Sequence, residues 1–173
     1  ASYLAGANKS HIKNIITNFT GLEHRLEFVS EVNGVKYYND SKATTPESTI
    51  AAIKAFNAPV ILIAGGYDKG SSFEEFADTC AKYTKAVVLI GKTAEKIRGL
   101  ILTKKGVQKA PSITKSNTFK EAFQQATTYA EKGDVVLLSP ACASYDMFIN
   151  YEERGRQFKE MINALYYFIS QRI

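Results

Sequence analysis

The apolar positions change period along the chain, and each change marks an element. Ile12, Ile15, Ile16 and Phe19 recur at helical spacing behind Asn8, a helix-capping residue type, while Ala1 to Leu4 read as a helix end stopped by Gly6. From Arg25 the pattern is that of extended chain. Residues 26–31 and 35–38 flank Asn33-Gly34, and the tolerance of both residues for positive φ predicts a tight hairpin turn. Thr45 before Pro46 predicts a capped helix carrying Ile50, Ile53 and Phe56.

Three short runs follow, at 60–63, 86–90 and 135–138, and they are continuously apolar rather than alternating. That is the pattern of strands covered on both faces. Helical patterns separate them. One follows Ser71-Ser72-Phe73-Glu74, a predicted capping box, and runs through Phe76 to Tyr83; another begins near Thr93. A third starts at Thr118 with Glu121 three residues on, carries Ala122, Phe123, Ala126 and Tyr129, and stops at Gly133. The last places Phe158, Met161, Ile162, Leu165, Tyr166 and Ile169 on one stripe. Strands alternating with helices predict an α/β fold: a Rossmann-like, mostly parallel, doubly wound sheet with an antiparallel hairpin at its start. Residues 1–20, whose apolar stripe needs a partner, read as the edge of a preceding domain, and 21–173 as the domain itself.

In such sheets ligands sit outside the carboxyl ends of the strands. Four loops qualify. Residues 39–45, Asn-Asp-Ser-Lys-Ala-Thr-Thr, precede a helix start that favours an anion. Lys42 adds a charge there, and Ser41 and Thr44 add hydroxyls. Asp40 repels phosphate, so it reads either as an Asx turn beside a solvated lysine or as the partner of a sugar hydroxyl, an amine or a metal-bound water. In residues 64–70, paired glycines either let backbone approach a ligand under Lys69 or merely turn the chain. Gly91-Lys92-Thr93 imitates a phosphate-binding loop but has Ala86 where that motif needs glycine, and reads as structural.

The fourth loop, 138–146, holds Ser139, Cys142 and Ser144, yet no GxSxG elbow, and the histidines are His11 and His24 alone. A hydrolase there would need His24 as its base. Small residues with free N–H groups suit a carboxylate better, and Cys142 reads as a small buried residue. Asn150 to Arg156 open the final helix, with Glu152, Glu153, Arg154 and Arg156 read as exposed surface pairs.

Composition narrows the classes. At 173 residues with 45% hydrophobic and 23% charged, the chain has material for one ordinary core, and no apolar run is long enough to cross a bilayer. Two cysteines without metal spacing argue for a reducing, cytoplasmic setting. A net charge of +5 favours anionic partners, and nucleic acid is one candidate. The lysines are dispersed, however, and small phosphorylated or carboxylated molecules fit equally well, with neither nucleic acid nor membrane expected as the partner.

Taken in order, residues 21–27 (GLEHRLE), 39–44 (NDSKAT), 64–66 with Lys69, and 138–146 with 150–155 resemble the C-terminal domain of Mur ligases. NDSKAT and LSPACAS are most similar to the branch that adds D-glutamate, and residues 1–20 resemble the end of the family's central domain. The resemblance implies a three-domain, ATP-dependent ligase of peptidoglycan precursor synthesis, monomeric and magnesium-requiring. Its acceptor, UDP-N-acetylmuramoyl-L-alanine, is activated as an acyl phosphate, and the amine of D-glutamate attacks it. The central and N-terminal domains of the same chain are the implied partners.

Position by position, the resemblance implies that Arg25 and Asp40 contact ATP, with Asp40 on the ribose. Lys42 offsets the transferring phosphate and the oxyanion. Thr44 and Lys69 hold the side-chain carboxylate of D-glutamate, and Ser144 and the backbone near Tyr151 hold its α-carboxylate. Thr45 stands where the family has Asn; Tyr67 and Asp68 differ from some relatives; Tyr145 and Tyr151 stand where others have Leu and Phe, and would shape the substrate wall. Since these residues contain no GxxxxGK[ST] segment, the piece alone is expected not to catalyse. The alternatives are a stand-alone nucleotide- or amino-acid-binding α/β module and a folylpolyglutamate-type ligase.

Overall fold

The computed structural model describes residues 3–19, 21–104 and 110–171. Helix α1 (Lys9–Asn18) precedes a hairpin of β1 (Glu27–Val32) and β2 (Val35–Asn39), after which come α2 (Pro46–Lys54), β3 (Val60–Gly65) and α3 (Glu74–Tyr83). The chain continues as β4 (Thr84–Ile90), α4 (Ala94–Thr103), β5 (Ser112–Lys115), α5 (Phe119–Tyr129), β6 (Val135–Leu138) and α6 (Tyr151–Ser170). The strands form one sheet in the order β1-β2-β6-β3-β4-β5. Among the strands of the described residues only the β1–β2 pairing is antiparallel, with Asn33 and Gly34 at φ 52° and 78° in the turn. This is the doubly wound α/β architecture with an opening hairpin that the pattern predicts.

Continuous apolar strands serve two cores at once. In β3, Leu62 and Ala64 face α2, α3 and α4, joining Ile50, Ile53, Phe76 and Ile97. Ile61 and Ile63 face the other way, with Phe119 and Phe123 of α5 and Phe158 and Ile162 of α6. Alternation persists; both sides of it are apolar.

Two expectations need correction, and one strand escapes the pattern. Residues 3–6 form a turn closed by Gly6 N–H to Tyr3 C=O at 3.1 Å, not a helix end; Ala1 and Ser2 lie outside the described residues. No capping box forms at α3. Its cap position is Phe73, which is buried against Phe76, so core packing rather than a serine sets the helix start. Strand β5, unrecognised in the pattern, lines the sheet edge. Asn8 does cap α1, accepting from Ser10 N–H at 2.8 Å, and among the described residues Ile15, Ile16 and Phe19 stay exposed on it.

Gly99 lies mid-α4, and a Cβ added there would meet no neighbour within 4 Å. Gly99→Ala is therefore expected to raise stability by about 0.5–1 kcal/mol in urea denaturation, through the propensity difference alone.

Candidate functional site

β6 lies between β2 and β3, yet its chain leaves toward α6 on one face of the sheet, whereas β2 and β3 send theirs toward α2 and α3 on the other. The carboxyl ends of these neighbours therefore part, and the crevice between them is where doubly wound sheets bind ligands. The loops that follow β2, β3 and β6 start from these adjacent strand ends.

The first of these loops is locked from beneath. Asn39, fully buried, makes the Asx turn: its Oδ1 accepts from Ser41 N–H at 3.2 Å. Its Nδ2 donates to Glu27 Oε2 and lies 2.9 Å from His24 Nδ1. Asp40 is not the Asx residue. Its Oδ1 accepts from Leu26 N–H at 3.0 Å and its Oδ2 from Ser139 Oγ at 2.7 Å. Burial raises the Asp40 pKa, opposed by the Ser139 and Leu26 bonds and by Arg25 nearby. Leu26 and His24 pay for this with φ of 45° and 62°, an uncommon region for such side chains, held by the Asp40 bond and by Lys42 N–H donating to His24 C=O at 3.0 Å.

What remains free at the surface is cationic. Lys42 is exposed, with Nζ 5.6 Å from the Tyr151 ring centroid and no ion pair among the described residues. Thr44, half-buried, follows it. Arg25, Asp40, Lys42, Ala43, Ser48 and Ala52 line a cavity of about 300 Å³, with an aliphatic wall, a carboxylate and two cations. That combination suits a nucleoside phosphate. A larger groove of about 530 Å³, between the start of α3 and the length of α4, holds Lys96, but Asp68 already neutralises it at 2.7 Å.

The paired glycines of the second loop, Gly65 and Gly66, meet protein, whereas Gly70 faces open space. A Cβ on Gly65 would stand 2.1 Å from Ile90 O, and one on Gly66 2.3 Å from Ala143 O. Gly66 N–H donates to Thr93 Oγ1 and Tyr67 N–H to Ala143 C=O, drawing the loops after β3, β4 and β6 together. Gly91-Lys92-Thr93 is structural, as its sequence suggests: Lys92 N–H donates to Asp146 Oδ2 at 2.9 Å. Above this base, Tyr67 and Tyr145 stand edge to face, with Lys92 Nζ 5.8 Å from the first ring and Lys69 Nζ 5.9 Å from the second. Ser144 is buried beside Tyr145.

Cys142 is buried against Thr93 Oγ1 at 3.3 Å, and burial pushes its thiol up to about 11. His24 is held by Asn39, so no nucleophile–base pair forms. Iodoacetamide is expected to label Cys142 and Cys80 only in denaturant, as read by mass spectrometry; rapid native labelling of Cys142 would contradict this geometry.

The reading of Glu152, Glu153, Arg154 and Arg156 as exposed pairs is overturned: Glu153 Oε2 accepts from Ile149 N–H at 2.7 Å, and Arg156 lies 4.0 Å from Glu160 instead. Arg154 is not an exposed pair: it is 1% exposed, donating from Nε to Ser41 Oγ at 2.9 Å, from Nη2 to Ser41 C=O at 2.7 Å and from Nη1 to Cys142 C=O at 3.3 Å. The signal in the sequence is the neighbouring Gly155. Its hydrogen faces His24, and a Cβ there would lie 2.2 Å from Nδ1. For a metal, Glu23, His24 and Glu27 cluster, but Lys159 Nζ bonds both glutamates and His24 is not an oxygen ligand, so the group does not fit magnesium.

A family model described as Mur ligase, glutamate ligase domain, matches residues 24–142. The UDP-N-acetylmuramoylalanine–D-glutamate ligase of Thermoanaerobacter sp. (strain X514) is 50% identical over 164 residues, 95% of this chain and 36% of the relative. That of Caldicellulosiruptor bescii is 51% identical over 160 residues, 92% of this chain and 34% of the relative. The chain thus spans about a third of the length of these relatives. Among solved structures, E. coli FolC in complex with ADP superimposes with a TM-score of 0.61 at 16% identity, covering 91% of this chain and 35% of that one. A UDP-N-acetylmuramoyl-L-alanyl-D-glutamate–2,6-diaminopimelate ligase gives 0.54 at 13%, covering 94% and 36%. At such identities these two structures speak for the fold alone.

Proposed function

Since this chain belongs to the Mur ligase family, we propose that it is the C-terminal domain of an ATP-dependent ligase joining D-glutamate to UDP-N-acetylmuramoyl-L-alanine in the cytoplasm, with residues 1–20 leading in from a central domain. The observation that carries the reading is identity of about half, along 95% of the chain, to ligases of that name. The 16% identity to a FolC structure speaks for the fold alone and does not favour the folate-type alternative.

In this reading the chemistry is a problem of crowded anions. Two unit negative charges 4 Å apart repel by about 4 kcal/mol near a protein surface. D-glutamate brings two carboxylates toward ATP and an acyl phosphate. Lys42 offsets charge on the transferring phosphoryl group and then on the tetrahedral oxyanion. The aliphatic wall of the Arg25–Asp40 cavity receives the adenosine. Asp40, already committed to Leu26 and Ser139, meets the ribose through its remaining lone pairs. Thr44 and Lys69 take the side-chain carboxylate, and Ser144 with the backbone at Tyr151 takes the α-carboxylate, walled by Tyr145. Aligning amine and acyl phosphate this way is worth about 7–11 kcal/mol. In this reading magnesium is held mainly by the central domain.

The test is ligation by the full-length protein with UDP-N-acetylmuramoyl-L-alanine, ATP and magnesium, read by mass spectrometry. D-glutamate is expected to be added and L-glutamate refused, with no glutamate added to folate. The 173 residues alone are expected to ligate nothing. Glutamylation of folate, or product from the isolated piece, would overturn the reading.

A further inference from the structure

Arg154 is buried, at 1% exposure, where Arg25 and Lys42 are exposed. Its three acceptors are neutral, and no carboxylate lies within ion-pair distance among the described residues. A buried charge without a bonded counter-ion is expensive. Burial lowers its pKa to about 10, with Cys142 and Asp146 opposing, so it remains charged at neutral pH.

The placement of those bonds gives the charge a purpose. Ser41 lies between Asp40 and Lys42, while Cys142 lies two residues before Ser144. One guanidinium therefore spans the turn after β2 and the loop after β6. The Ser41 hydroxyl passes the link on, donating to Tyr151 C=O at 2.7 Å, so the first turn of α6 is bolted to both loops. Gly155 lets the helix sit close enough, against His24 and Asn39. A planar fork reaches three acceptors on two loops; a lysine ammonium, with all its donors on one atom, does not.

We propose that Arg154 is a positioning residue, fixing Lys42 relative to Ser144 so that the phosphoryl-side cation and the amino-acid loop stay in register. The proposal rests on the ligase reading and deepens it. It predicts coupling: loosening the clamp disturbs the use of ATP and of D-glutamate together, because Arg154 is bonded to the loops that serve each.

The experiment uses the full-length protein with Arg154→Lys, Arg154→Met and Ser41→Ala. At a temperature where circular dichroism finds each folded, kcat/KM is expected to fall about 100-fold in both Arg154 variants, as for a misplacement of about 1 Å. The fall in Ser41→Ala is expected to be about 10-fold, near the loss of one hydrogen bond. KM should rise for both ATP and D-glutamate. Hydrogen exchange should quicken in peptides covering 39–46 and 139–147 and not in β3. Full activity in Arg154→Lys would mean that charge alone matters and would overturn the proposal, as would a lowered melting temperature with unchanged kcat/KM. If both Arg154 variants fail to fold, Ser41→Ala decides, and its unchanged kinetics and exchange would overturn it. If the wild-type protein does not ligate D-glutamate, the functional reading fails separately, and the clamp stands or falls on exchange in the two loops.

Discussion

Lys42→Met in the full-length protein is expected to lower kcat for ligation by about 10²–10³-fold while leaving the melting temperature nearly unchanged. Both halves follow from where the side chain lies. Lys42 is exposed and has no ion pair among the described residues; its Nζ lies over the Tyr151 ring at 5.6 Å. Removing it breaks nothing that holds the fold, and a surface substitution of this kind shifts stability by about 0.5 kcal/mol or less. Its backbone, by contrast, is fixed by N–H donation to His24 C=O at 3.0 Å and by the Asn39 Asx turn, so the turn that carries the ammonium is set before any ligand arrives. A preorganised donor facing developing negative charge is worth about 2.7–4 kcal/mol. Steady-state kinetics and a thermal melt check the two halves separately. A fall in kcat that only tracks a fall in melting temperature would mean Lys42 is structural.

The largest effect on stability is expected at Gly65. Gly65→Ala should destabilise the domain by about 2–6 kcal/mol, combining overpacking with backbone strain. The residue stands at φ 110°, and the added methyl would lie 2.1 Å from Ile90 O. That oxygen is backbone at the end of a buried strand, so it cannot swing away as a flexible side chain would. Gly65 N–H also donates to Pro140 C=O at 2.8 Å, so a shift of β3 away from β4 disturbs the loop carrying Cys142 and Ser144. Since domains of this size are stable by about 5–15 kcal/mol, the variant is expected to melt far earlier or to be recovered unfolded. A loss below about 1 kcal/mol in urea denaturation would contradict the close approach described here.

The sequence shows its architecture where the physics is local or periodic. β3, β4 and β6 are visible because burial on both faces makes them continuously apolar. Asn33-Gly34 and the box of Thr118 with Glu121 name their own turn and cap. β5 is silent: Ser112-Ile113-Thr114-Lys115 is four residues long at an edge, and alternates too briefly to stand out. Local reasoning also misjudges residues whose partners are distant. Asp40 invites a ligand because its neighbours offer it nothing, yet it bonds residues 14 and 99 positions away. Arg154 sits in a Glu-Glu-Arg run typical of a helix surface, and only contacts to Ser41, 113 positions away, put it in the interior. The glycines at 65 and 66 have the right residue type for either of the readings open to them, and distance to Ile90 and Ala143 decides between the two.

The central claim is that loops at one rim of the sheet hold ATP and the glutamate donor side by side. The direct measurement is a ¹⁵N NMR titration of this chain with D-glutamate in the presence of ATP, with L-glutamate as the control. The amides of Lys42, Lys69 and Ser144 are expected to move together with D-glutamate and saturate along a single binding curve. Shifts confined to the groove between α3 and α4, or an equal response to L-glutamate, would contradict the account.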